Sequence, residues 1–352
     1  MATISSVVAE GDFAEGRVMV RMLRLSPAKA SGSREGLPCA GCDSKRRRIV
    51  LGDLFEREEG GVAAERPPKA RVPEMPLQAR QVACVETGAE KIRTRWDGGE
   101  IVWRVWGEGA PLVLLHGDFG SWTHWIRNVL PLAKRFRVIV PDMPGYGDSA
   151  PPPTDWTPGS LALILSRCLG DVVPAPERYA LAGFSFGGII AGHLAVHDGD
   201  RVETLVLAGA GGFGQPYPSL PPLRRLSPEM ADDEIVAVHR HNLAALMIAD
   251  PARANDLAVH VQIENVRRAR IRAGDIPTSD VLIRVLPQVR ARLGGIWGER
   301  DAMSGDGIAD REWMLRRIQP DLDFRLIPGA GHWAPFEAPE PVCAALTAMV
   351  GR

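Results

Sequence analysis

The chain has 352 residues, 45% of them apolar and 24% charged, with a formal net charge of -1. That is enough for one large domain or two modest ones around a substantial core, and so even a charge balance leaves no footprint for nucleic acid or an anionic membrane surface. Five cysteines over this length are too sparse for the disulfide framework of a small secreted domain, which points to a reducing, cytoplasmic setting.

The N-terminal stretch carries Glu10, Asp12 and Glu15 and lacks both a basic start and a long apolar run, so no secretory signal is expected. No segment approaches the roughly 20 apolar residues that cross a bilayer. Residues 1–75 mix Gly, Pro and charges of both signs with few periodic apolar positions, and are expected to form a disordered extension. Within it, Cys39 and Cys42 make a lone CxxC without the second pair that a four-ligand zinc site needs, so no metal is assigned. Lys45-Arg-Arg-Arg48 is offset by Glu56, Glu58 and Glu59 and reads as a solvated charge run. Met75, just ahead of the first strand signals, offers an alternative start of translation.

From residue 90 short apolar runs alternate with segments long enough for crossover helices. The runs are Ile101-Val-Trp-Arg-Val-Trp106, Pro111-Leu-Val-Leu-Leu115, Phe136-Arg-Val-Ile-Val140, Tyr179-Ala-Leu-Ala182, Thr204-Leu-Val-Leu-Ala208, Leu293-Gly-Gly-Ile-Trp297 and Phe324-Arg-Leu-Ile327. Apolar runs without strict alternation suit strands covered on both faces, hence a mostly parallel sheet in an α/β fold. Helices are expected over 121–135 and 187–197.

The first loop with chemical interest is His116-Gly-Asp-Phe-Gly120, which follows an expected strand. Acyl transfer needs two preorganised N–H donors where an oxyanion develops. One is expected from the backbone of Asp118, with Phe119 second; His116 is expected to hold the loop. A carboxylate at 118 would repel a forming oxyanion, so its side chain is expected to point away or to be paired.

Gly183-Phe-Ser-Phe-Gly187 matches G-x-S-x-G between a strand and a helix rich in small residues. In such an elbow the serine sits on a strained turn and the glycines allow close packing. Ser185 is the candidate nucleophile, and the N–H of Phe186 the second oxyanion donor. A structural turn serine is the bland reading of the bare pattern.

About 80 residues then separate the strands near 208 and 293, where a crossover needs roughly 20 to 30. Residues 215–290 are therefore read as a helical cap. It opens with a proline-rich linker to 228, followed by helices over 228–250, capped by Ser227, and over 252–274. The core is expected over 76–214 and 291–352. Arg267, Arg268, Arg270 and Arg272 read as a solvated helix face, with carboxylate binding as the alternative.

A serine hydroxyl is a poor nucleophile without a base held by an acid. Gly298-Glu-Arg-Asp301 and Pro328-Gly-Ala-Gly-His332 both follow expected strands, at the sheet edge where ligands of open α/β sheets collect. Asp301 and His332 complete a Ser-Asp-His set in chain order, with Asp306 and Asp310 as weaker acids. His193, His197, His239, His241, His260 and His124 read as packing or surface residues.

These motifs, together with Asp142-Met-Pro-Gly-Tyr-Gly-Asp-Ser149, resemble the α/β-hydrolase superfamily over residues 90–350. The resemblance implies a mostly parallel central sheet with helices on both faces, a helical cap and no cofactor, with Asp142 and Asp148 structural. A serine at the elbow departs from the aspartate of haloalkane dehalogenases and epoxide hydrolases. His332-Trp333-Ala334 is similar to the motif of hydrolases that cleave carbon–carbon bonds in meta-cleavage products, whereas Gly-Asp-Phe-Gly-Ser and Phe184 depart from that group. Phe119, Phe184, Trp333 and Met247 are expected to line an apolar substrate pocket, with plain core packing as the alternative for each aromatic. The expectation is a serine hydrolase acting on a small to medium hydrophobic carboxylic ester, with water as its second reactant. Carbon–carbon hydrolysis of a dienoate and non-catalytic ligand binding are the alternatives.

Overall fold

The computed structural model describes residues 72–351; the expectations for the Cys39 and Cys42 pair, the basic run at 45–48 and most of the N-terminal extension lie outside them. The described chain runs α1 (Pro76–Thr87), β1 (Glu90–Trp96), β2 (Gly99–Trp106), β3 (Pro111–Leu115), α2 (Val129–Leu132), β4 (Arg137–Pro141), α3 (Pro158–Leu169), β5 (Tyr179–Phe184), α4 (Phe186–Asp198) and β6 (Val202–Ala208). After β6 come α5 (Asp232–Leu246), α6 (Asp256–Arg268), β7 (Arg292–Gly298), α7 (Ile308–Ile318), β8 (Asp323–Ile327), α8 (Ala334–Glu337) and α9 (Pro339–Val350). No helix among the described residues is long and apolar enough to cross a membrane.

The eight strands form one sheet in the order β1-β2-β4-β3-β5-β6-β7-β8. The β1/β2 and β2/β4 pairs are antiparallel, and the rest are parallel. Side chains alternate across a strand, and here both faces are buried. Val113 and Leu115 join the core layer with α3 and α4, while Leu112 and Leu114 join the layer with α2 and α9. That is why β3 reads as an unbroken apolar run. Nothing comparable marked β1, an edge strand in which only Thr94 is buried and charges alternate.

Local chemistry moves several expected boundaries. The 121–135 crossover divides into a 3-10 turn at Trp122–Trp125, capped by Ser121, and the short α2. Helix α5 begins at Asp232, four residues past the expected start, because Glu234 folds back to accept the Ala231 N–H at 2.8 Å. Ser227 is not its cap; the Ser227 hydroxyl turns to Glu229 instead. Helix α6 starts after Asn255, whose side chain accepts the Ala258 N–H at 3.1 Å, and spans only Asp256–Arg268. Residues 215–228 are irregular, as their prolines imply.

Candidate active site

Strand β5 ends at Phe184, and Ser185 follows with φ of 53°, a left-handed conformation that non-glycine residues rarely adopt. Tertiary contacts hold it there. Ser185 N–H donates to Ala208 O at 2.8 Å, on the neighbouring β6. A Cβ at Gly187 would lie 2.3 Å from His116 O, and one at Gly183 would lie 2.3 Å from Gly187 O. The flanking glycines are thus steric requirements of the elbow.

The loops after β7 and β8 bring Asp301 and His332 to the same edge. His332 Nε2 lies 3.0 Å from Ser185 Oγ, and Nδ1 lies 3.0 Å from each Asp301 carboxylate oxygen. With the proton on Nδ1 donated to Asp301, Nε2 is free to accept from the serine hydroxyl, the tautomer that a general base requires. Asp301 also accepts from Met303 N, Ser304 N and the Ser304 hydroxyl. Burial works to raise the Asp301 carboxyl, but His332 and these donors outweigh it and hold it below the ordinary carboxylate range. Asp306 and Asp310 make no such contact with His332; Asp310 meets Gln215.

The loop after β3 packs against the elbow, since a Cβ at Gly117 would lie 3.2 Å from the Ser185 Cβ. His116 holds it as expected. Its Nδ1 donates to Gly117 O at 2.8 Å and its Nε2 accepts Met143 N–H at 2.9 Å, so the ring is neutral and tied to the Asp142 loop. Gly117 N–H donates to His124 Nδ1 at 3.1 Å. Among the described residues, the N–H groups of Asp118 and Phe186 have no acceptor in the protein. The Asp118 carboxylate is paired, with Tyr146, Phe119 and Ala273.

Asp142 and Asp148 are structural. Buried Arg104 reaches Asp142 at 3.0 Å, Asp148 at 2.5 Å and Glu86 at 2.6 Å, and Asp142 also accepts the Trp122 and Asp148 N–H groups.

The expected pocket residues separate into two groups. Phe184 and Trp333 have no exposed surface. Phe184 packs edge-on against His124 and Trp125 and lies beside the His332 ring, while Trp333 stacks on Phe336 and donates Nε1–H to His124 O. Both are core side chains packed around the His332 loop, in keeping with the core-packing alternative: an aromatic beside a site residue is as easily its support as its pocket wall. Phe119 and Met247 are partly exposed. Phe119 has φ of 48°, and Met247 O accepts Trp333 N–H at 2.7 Å. Two surface clefts, of about 340 and 790 Å³, are lined by residues such as Arg127 and Glu337 and by Phe136 and Thr347; neither includes Ser185, Asp301 or His332.

The 215–290 insertion is fastened to this edge by polar groups. Arg267 and Arg268 end α6, while Arg270 and Arg272 lie beyond it. Arg268 pairs with Asp148, and Arg270 donates to the carbonyls of Tyr146, Gly147 and Ser149. These two are therefore not a solvated helix face: Arg268, at the end of α6, and Arg270, just beyond it, are both tied to the Asp142–Ser149 loop. Glu337, buried, accepts Gly331 N–H at 2.7 Å, Ala249 N–H at 3.0 Å and Asp250 N–H at 2.8 Å. Sequence reasoning missed Glu337, Tyr146 and Arg104. Tyr146 lay within a quoted motif, but nothing in the spacing singles out the other two.

A family model described as "Alpha/beta hydrolase family" matches residues 112–345. The chain is 31% identical over 264 residues to the pimeloyl-[acyl-carrier protein] methyl ester esterase of Edwardsiella ictaluri, covering 70% of this chain and 95% of that protein. It is 26% identical over 247 residues to the 2-hydroxy-6-oxo-6-phenylhexa-2,4-dienoate hydrolase of Burkholderia cepacia, covering 66% and 84%. Among solved structures, a thermophilic esterase from Thermogutta terrifontis superposes with a TM-score of 0.55 at 26% identity, covering 74% of this chain and 97% of that one.

Proposed function

The chain belongs to the alpha/beta hydrolase family, and we propose that it is a serine hydrolase that cleaves a small to medium hydrophobic carboxylic ester through an acyl-enzyme. The observation that carries this reading is the continuous relay from Asp301 through His332 to Ser185, each link at 3.0 Å. Ser185 attacks the ester carbonyl while His332 takes its proton, and the Asp118 and Phe186 N–H groups receive the oxyanion. The imidazolium is stabilised by Asp301 and then protonates the leaving alcohol. Water, deprotonated by His332, hydrolyses the acyl-enzyme and restores the serine. In this reading residues 215–290 cap the site and exclude bulk water from it.

Esterases among the relatives support ester chemistry. Carbon–carbon hydrolysis is the second reading, favoured by dienoate hydrolases at 26% identity. Trp333, part of the motif that carried that resemblance, is a buried brace and does not discriminate between the two. A fluorophosphonate probe should label Ser185 in the folded protein, and Ser185→Ala should abolish labelling and hydrolysis together. Parallel assays on p-nitrophenyl esters of increasing chain length and on a meta-cleavage dienoate decide the bond. Turnover of the dienoate alone would overturn the ester assignment, and absence of labelling would overturn the nucleophile.

A further inference from the structure

The carboxylate at 118 stands where negative charge opposes the proposed chemistry, yet it is built into the loop by three hydrogen bonds. Oδ1 accepts the Tyr146 hydroxyl at 2.6 Å and the Phe119 N–H at 2.9 Å; Oδ2 accepts the Ala273 N–H at 3.0 Å. The two oxygens have different partners. Tyr146 and Phe119 belong to the core loops, whereas Ala273 lies in the insertion, in the return segment 269–273 that follows α6.

That return segment is laid along the Asp142–Ser149 loop before it reaches Asp118. Arg270 N–H donates to Gly145 O at 2.8 Å, Arg268 pairs with Asp148, and a Cβ at Gly145 would lie 2.7 Å from the Ile271 side chain. Further along it, Ala273 N–H reaches Asp118 Oδ2. On the other oxygen, the bond to Phe119 N–H ties the side chain to the backbone on the far side of the Asp118 Cα, with Phe119 at φ of 48°, so that the side chain and the backbone bearing the Asp118 N–H are held as one unit. The orientation of this loop and the seat of the insertion thus meet in one side chain.

We infer that the Asp118 side chain is a positioning residue that latches the 215–290 insertion to the oxyanion loop, so that the Asp118 N–H is aimed at the oxyanion only while the insertion is seated. The inference rests on the serine-hydrolase reading above. It also resolves the charge conflict, because three donors draw the carboxylate's lone pairs away from Ser185 and offset its charge. Burial pushes the Asp118 carboxyl above its ordinary value, and the Tyr146, Ala273 and Phe119 donors, with the Arg272 charge, oppose that rise in part. A carboxylate suits this post better than an amide: both oxygens accept, whereas an asparagine would set its NH2 against the Ala273 N–H or against the Tyr146 and Phe119 donors.

Asp118→Asn tests this. It is nearly isosteric and breaks only one side of the latch. The expected result is a fall in kcat of about 10- to 100-fold on a p-nitrophenyl ester with KM changed less than about 3-fold, as for loss of an aimed oxyanion donor. A trifluoromethyl ketone, which forms an oxyanion adduct with the serine, should lose affinity by the same factor, while the carboxylic acid product should bind as before. Tyr146→Phe removes one donor from Oδ1 and should move both quantities the same way by a smaller factor; it serves as the test if Asp118→Asn does not fold. The inference is overturned if a folded variant keeps kcat within about twofold, or if kcat falls while ketone affinity stays. Ser185→Ala, assayed beside them, separates the two readings. An active Ser185→Ala removes the serine mechanism and the latch with it, whereas an inactive Ser185→Ala with a fully active Asp118→Asn removes the latch alone.

Discussion

The carboxyl edge of the sheet and the 215–290 insertion share the core layers but differ in the polar groups that orient them. At the sheet edge, Ser185 and Asp301 follow β5 and β7, parallel strands buried on both faces, and His332 follows the half-buried edge strand β8. Their positions follow from strand register and from glycines that no side chain could replace. The insertion contributes Leu243, Val259 and Val261 to one core layer and Ala273, Leu282 and Leu286 to the other, and to this packing it adds polar ties: Asp118 to Ala273, Glu337 to Ala249 and Asp250, and Arg268 to Asp148. Apolar layers are non-directional and tolerate repacking. A charged hydrogen bond is directional, so it fixes an orientation and is lost all at once. The strand ends are thus placed chiefly by packing, and the segments of the insertion tied to them are oriented in addition by a few charged hydrogen bonds.

If that division is real, the largest effect should come from the sheet edge and should be chemical rather than structural. Asp301→Asn keeps the shape and one acceptor oxygen, but invites the wrong His332 tautomer. We expect kcat to fall about 10,000-fold on a p-nitrophenyl ester, with a much smaller change in the urea midpoint. A loss under tenfold would mean that the 3.0 Å contacts to His332 do not orient the base.

Two buried histidines, one in each region, sharpen the comparison through pH. Burial lowers both His116, in the loop after β3, and His239, in α5, to about 4. Nearby Asp142 and Gly117 only partly oppose this for His116. For a base whose folded pKa is depressed, the unfolded chain binds the extra proton first. Their contribution is therefore full above the unfolded value of about 6.5 and falls as pH drops from 6.5 toward 4. From pH 6.5 to 5 each should remove about 2 kcal/mol of stability. Urea titrations at the two pH values should show that fall, and His239→Leu should flatten it by about 2 kcal/mol if the insertion and sheet unfold as one unit. A separate early transition, with the Ser185 edge still able to react with a fluorophosphonate, would show that the insertion melts alone.

The same division governs what could be read in advance. The strand runs, the G-x-S-x-G elbow and the order of Asp301 and His332 were legible because burial on two faces and tight turns leave a mark on neighbouring residues. Edge strand β1 left none, since its outward charges mask the pattern. The latches were illegible for another reason. Glu337 lies 88 residues from the Ala249 it binds and Asp118 lies 155 from Ala273, and a hydrogen bond asks nothing of the residues between. Phe184 and Trp333 show the converse limit: their place beside the site was legible, but whether they face substrate or support His332 depends on packing at the other end of each ring.

Glu337 gives the finest test, because its carboxylate serves both regions. One oxygen takes Gly331 N–H, in the turn leading to His332, together with Ala249 N–H; the other takes Asp250 N–H. Glu337→Gln retains only one oxygen, so at least one buried donor is left facing an NH2 group. Leaving one such group unsatisfied costs about 1 to 3 kcal/mol, read as a lower urea midpoint at unchanged m-value. The chemical consequence depends on which side the amide turns. With the retained oxygen on Gly331, His332 keeps its position and only the insertion loosens, so kcat should fall by less than about tenfold while amide exchange quickens across residues 247–250. If kcat instead falls as far as in Asp301→Asn with no change in exchange there, Glu337 belongs to the support of the base alone and the insertion is not latched at this point.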